Sequence, residues 1–140
     1  MFGFLPTRVH GILDYLMGIV LVAAPLALGF GAGPQTWLPI VMGTGVILYS
    51  LFTEYELGVI PALSVPSHLV LDAMAGLFLA ASPWIFGFAW DIRMPHVLLG
   101  MAAVFAAAFT QTQAWPDGHT TLEFRPTAGD QTATELRASA

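Results

Sequence analysis

The chain contains no cysteine and no lysine, and charged residues fill only 9% of its 140 positions. The first absence excludes disulfides, thiolate nucleophiles and thiolate metal sites, and it leaves the redox compartment open. The second leaves only four basic residues, all arginine, too few for the basic stripe that nucleic acid requires. The shortage of charge is the most restrictive. Soluble domains carry about a quarter charged residues. With 56% hydrophobic residues and a mean hydropathy of +0.74, a water-facing surface would consist largely of apolar patches. The expected partner of this surface is the lipid bilayer. No nucleophile–base pattern and no glycine-rich phosphate loop is recognisable, so no catalytic residue is assigned and an enzyme is not expected.

What is present is four long apolar stretches. They predict helices over residues 7–30, 36–54, 65–88 and 95–113, each long enough to cross about 30 Å of hydrocarbon. Gly31-Ala32-Gly33-Pro34 and Asp91-Ile92-Arg93-Met94-Pro95 supply the breaks within the first and last pairs. The organisation expected is a first two-helix repeat over 1–56, a linker over 57–64, a second repeat over 65–114 and a tail over 115–140. The linker is apolar (Leu57, Val59, Ile60, Leu63) and suits the membrane interface. The tail, rich in Thr, Ala, Asp, Glu and Gly, has no apolar periodicity and reads as soluble and disordered. The apolar run after Arg8 is too long for a signal-peptide core, so no cleaved leader is expected. Arg8, Arg125 and Arg137 fall on one side of a four-span protein and Arg93 on the other. The positive-inside rule then places both termini in the cytoplasm, with the plasma membrane as the expected location.

The strongest signal is internal repetition. A shift of 58 residues superposes His10 on His68, Asp14 on Asp72, Gly18 on Gly76, Pro25 on Pro83, Gly29 on Gly87 and Phe30 on Phe88. Between residues 10 and 30, nine of twenty-one positions are identical. A shift of 57 aligns the second helices, placing Gly43 on Gly100 and the segment from Phe52 to Glu56 on that from Phe109 to Gln113. The unit is a helical hairpin. An even number of spans gives both units the same orientation, so a pseudo-twofold axis along the membrane normal should relate them. The fold expected is all-α, a transmembrane four-helix bundle of two tandem hairpins.

Ser82-Pro83-Trp84-Ile85-Phe86-Gly87-Phe88, following an apolar helix that contains Asp72, resembles the signature of the SPW-repeat family of small bacterial and archaeal membrane proteins. The first copy departs from it, reading Ala24-Pro25-Leu26-Ala27-Leu28-Gly29-Phe30. The resemblance implies the fold and assigns no activity. Pro25 and Pro83 should shape the helix ends, and Trp37, Trp84 and Trp90 fit an aromatic belt. Gly11, Gly18, Gly43, Gly45, Gly76 and Gly100 offer small surfaces for close helix approach or self-association.

His10 with Asp14, and His68 with Asp72, each lie one turn apart on one helical face. A carboxylate at that depth is costly unless paired. The partners expected are the histidine one turn earlier and the polar ends of the second and fourth helices: Thr53, Glu54, Glu56, Thr110, Gln111 and Gln113. Three readings stay open: a structural hydrogen-bond network, a divalent-metal site with two imidazoles and two carboxylates, of which zinc is the natural occupant, or a proton or haem role. No cofactor is expected on the first reading. His96, without a counterpart in the first unit, is expected to be a simple interfacial residue. The overall expectation is a structural or interaction module that forms homo-oligomers or joins a larger membrane assembly, with ion or proton handling as the alternative.

Overall fold

Each apolar stretch forms one helix. In the computed structural model, which describes residues 3–112, these are α1 (Thr7–Ala27), α2 (Pro34–Leu51), α3 (Val65–Ile85) and α4 (Trp90–Phe109). Gln113 and the expected tail lie outside the described residues. The fold is an all-α bundle in which α1 packs closely on α2 and α3 on α4. By length and composition α1, α3 and α4 are apolar enough to cross a membrane. The remaining helix, α2, has 18 residues, and its first turn spends three of them on Pro34, Gln35 and Thr36. Large apolar side chains such as Leu16, Ile19, Met74, Leu77 and Leu98 point outward.

The repeat signature is a helix stop. Gly29 and Gly87 adopt φ of 64° and 67°, the left-handed conformation that ends a helix without a Cβ penalty. Beyond them the Phe30 and Phe88 amides reach back to the carbonyls of Pro25 (3.0 Å) and Pro83 (2.9 Å). This closure stops α1 and α3 three residues before the ends expected from hydropathy. Proline also frees the carbonyl four residues earlier. In α3 that carbonyl belongs to Leu79, and it accepts a 2.7 Å hydrogen bond from the buried Ser82 hydroxyl. The serine and proline of the signature thus act together, whereas Trp84 is exposed on the outer face. A Cβ on Gly29 or Gly87 would meet nothing within 4 Å. Alanine there should therefore cost only the left-handed backbone strain, about 1–2 kcal/mol at each site, read as additive losses in thermal unfolding in detergent.

The segment 91–95, expected to be a break, is helical: α4 begins at Trp90 with Asp91 in its first turn, where a carboxylate favours the helix dipole. Its Pro95 occupies the sixth helical position, as Pro39 does in α2. Pro39 frees the carbonyl of Gln35, and His96 fills the gap, its Nε2 lying 3.1 Å from that oxygen. His96 is therefore buried, between Phe30 and Phe88, and ties α4 to the start of α2.

Within each hairpin the helices touch at paired glycines. A Cβ on Gly43 would lie 2.6 Å from the Gly18 carbonyl oxygen, and one on Gly100 would lie 2.5 Å from that of Gly76. Gly45, expected among the packing glycines, faces open space.

The opposite ends of the helices are joined reciprocally. Thr53, after α2, forms a parallel bridge with Leu63, before α3; Thr110, after α4, does so with Leu5, before α1. The chain between Leu51 and Leu63 folds back so that the amides of Val59 and Ile60 bond Leu51 O, and those of Ala62 and Leu63 bond Phe52 O. These bonds satisfy carbonyls that the end of α2 would otherwise orphan.

Candidate functional site

The two bridges place a threonine beside each of two buried histidines, and the histidines and aspartates of α1 and α3 meet between them. His10, Asp14, His68 and Asp72 are only 2%, 6%, 1% and 5% exposed. One ligand-type atom from each lies within 4.8 Å of all the others. The hydrogen bonds run across the repeats. His10 Nε2 lies 2.9 Å from Asp72 Oδ2, and His68 Nε2 lies 3.0 Å from Asp14 Oδ2. The contacts along each helix complete the ring, at 3.4 Å for His10 with Asp14 and 3.1 Å for His68 with Asp72. Taking such groups out of water costs several kcal/mol each unless they are paired; here every one faces two of opposite character.

The second ring nitrogens settle the tautomers. His10 Nδ1 lies 2.9 Å from Thr110 Oγ1, and His68 Nδ1 lies 2.7 Å from Thr53 Oγ1. Each threonine hydroxyl has one proton, and it is donated to the carbonyl four residues earlier, Ala106 O at 2.6 Å and Tyr49 O at 2.8 Å. Each histidine must therefore donate its Nδ1–H to the threonine oxygen. Both Nε2 atoms are left pointing at the carboxylates.

The symmetry of the carboxylate contacts breaks at Tyr49. Tyr49, a residue absent from the sequence-based cluster, donates its hydroxyl to Asp72 Oδ1. The only signal for it is its place four residues before Thr53 on the same face of α2. In the second repeat its equivalent at a shift of 57 is Ala106. Among the described residues Asp14 has no hydroxyl donor. A cavity of about 40 Å³ touches both aspartates, Tyr49 and Ala106, enough for a water-sized occupant.

Glu54 and Gln111 do not join the cluster through their side chains. Past the helix ends the backbone is extended, so successive side chains alternate; Thr53 and Thr110 turn inward, Glu54 outward, and Gln111 is half-buried. Their backbone amides instead make the bridges, to Leu63 O at 2.8 Å and Leu5 O at 2.9 Å. Glu56 accepts from the buried Thr7 hydroxyl at 2.8 Å. Tyr55 packs its ring on Gly11 and His68 and closes this end of the bundle; burial pushes its hydroxyl above the usual phenol range. The signature residues Pro25, Gly29, Phe30, Ser82, Pro83, Trp84, Gly87 and Phe88 lie at the other ends of α1 and α3, away from the cluster. A haem between His10 and His68 does not fit this packing, because both Nε2 atoms share Asp72 Oδ2 as a neighbour.

No curated protein and no solved structure matches the chain. Residues 8–110 match the SPW repeat domain. The chain belongs to that family, and it is a membrane protein with two copies of the helical-hairpin unit.

Proposed function

We propose that this SPW repeat protein is a non-enzymatic, four-span module of the plasma membrane, with both termini in the cytoplasm, in which the His–Asp cluster latches two hairpins into one body. The observation that carries the reading is the crossing of the pairs. His10 bonds Asp72 and His68 bonds Asp14, so the cluster joins α1 to α3, while the glycine contacts only join helices within a hairpin. Each ring nitrogen of His10 and His68 is spent on a partner inside the bundle. The outward face is apolar along the helices, which suits lipid, a second copy or a larger membrane partner.

The four-span topology has a direct test, because the chain has no native cysteine. Single cysteines at Gly33 and Arg93 should react with an impermeant thiol reagent added to intact cells. Cysteines at Val59 and Asp130 should react only after permeabilisation. Labelling of Gly33 and Arg93 from opposite sides would eliminate the second span. Reaction of Val59→Cys in intact cells would reverse the orientation.

A further inference from the structure

We infer that the cluster of His10, Asp14, His68 and Asp72 is a binding site for one divalent metal ion of the zinc class. The inference rests on the reading of the cluster as the latch between hairpins, and it names what the latch holds. The donor set is two imidazole nitrogens and two carboxylate oxygens on two helices, which is a complete tetrahedral zinc set without thiolate. Bonds of about 2.0–2.2 Å imply ligand-to-ligand edges of about 3.3–3.6 Å in a tetrahedron. The His–Asp contacts measure 2.9, 3.0, 3.1 and 3.4 Å, with His10 and His68 touching different oxygens of Asp14, and one ligand atom from each residue lies within 4.8 Å of the others. The side chains must shift to bring four donors to tetrahedral edges around one ion.

One further feature favours a metal over an ordinary ion pair. A metal-bound histidine needs its other nitrogen held by a hydrogen bond that fixes the tautomer and aims the ring. Thr53 and Thr110 do this for both rings, and both Nε2 atoms have Asp72 Oδ2 as a neighbour. The cavity beside Ala106 adjoins both aspartates and gives the side chains room to move.

The experiment uses the full chain in detergent, stripped with a chelator and titrated with Zn²⁺, with Co²⁺ as the spectroscopic probe. Zinc should bind at one ion per chain and raise the melting temperature by several degrees. Cobalt should give the intense ligand-field bands of tetrahedral coordination. Asp14→Asn with Asp72→Asn, which keeps size and hydrogen bonding, should stay folded and lose the zinc response. Thr53→Val or Thr110→Val should weaken binding about 10–100-fold. His119→Gln, in the tail, should leave it unchanged. If zinc does not shift the melting temperature of the wild-type chain, or if binding survives His10→Gln with His68→Gln, the metal site is overturned. Should that occur while Asp72→Leu still destabilises the protein, the latch stands without a metal; should Asp72→Leu have no effect, the latch itself fails.

Discussion

Asp72→Leu destabilises the protein in detergent by about 3–5 kcal/mol, the usual cost of removing one partner from a buried ionic pair. Asp14→Leu costs less, about 1–3 kcal/mol. The inequality follows from the Tyr49 contact. Asp72 receives the Tyr49 hydroxyl as well as both imidazoles, so its loss orphans the tyrosine hydroxyl and takes one of two carboxylates from each imidazole. Asp14 contacts the two imidazoles, one of them at 3.4 Å, and both keep Asp72 when it is lost. Leucine has the branching of aspartate but bulkier methyl groups, so the same steric cost enters at both sites and the difference between them reports the polar contacts. Tyr49→Phe should remove part of the difference between the two, and Ala106→Ser should strengthen the Asp14 side if its hydroxyl reaches the carboxylate. The measurement is chemical or thermal unfolding of the purified chain at one fixed detergent concentration. Equal effects of Asp14→Leu and Asp72→Leu would show that the tyrosine bond is energetically silent. No effect of either would mean that the carboxylates reach water or headgroups and that no buried cluster exists.

Gly100→Ala destabilises the second hairpin by about 1–3 kcal/mol, the range for inserting one methyl group into a well-packed contact. Its new Cβ would meet Gly76 O at 2.5 Å and Ala80 N at 2.6 Å. Both are backbone atoms, so no rotamer change relieves the clash and α3 must move from α4. Gly43→Ala meets the Gly18 carbonyl oxygen at 2.6 Å and should behave alike in the first hairpin. Gly45→Ala is the control of opposite sign. It meets nothing, and alanine is favoured over glycine in a helix interior by about 1 kcal/mol. A Gly45→Ala chain that melts lower than Gly100→Ala would contradict this packing.

These two contacts divide the structure by range. Paired glycines hold each hairpin, and the His–Asp ring joins hairpin to hairpin together with the two backbone bridges and the His96–Gln35 contact. The small-residue contacts depend on close backbone approach, which lipid does not oppose. The ring depends on charge and hydrogen bonding in a medium where an unpaired group finds no water. Disrupting one should leave the other in place, which makes the two sets of variants independent tests.

The helical content, the number of apolar stretches, the duplication and the face shared by each histidine and aspartate were all readable from residue order. They depend on local period and hydropathy, and a 58-residue repeat copies them twice. The stop at Gly29 and Gly87 was also within reach, since a left-handed closure needs a glycine at that position. What only the tertiary structure decided was partnership. Residue spacing brings His10 to the level of Asp14, but the packing of α1 against α3 makes Asp72 its hydrogen-bond partner. Tyr49 entered the cluster, and the side chains of Glu54 and Gln111 left it, because the course of the backbone after each helix sets which side chain turns inward. His96 was drawn into the core by a carbonyl that a proline on another helix had freed. Local chemistry determines which groups a segment presents; which group answers them across the bundle is fixed only when two surfaces, distant in the chain, are brought to hydrogen-bonding distance.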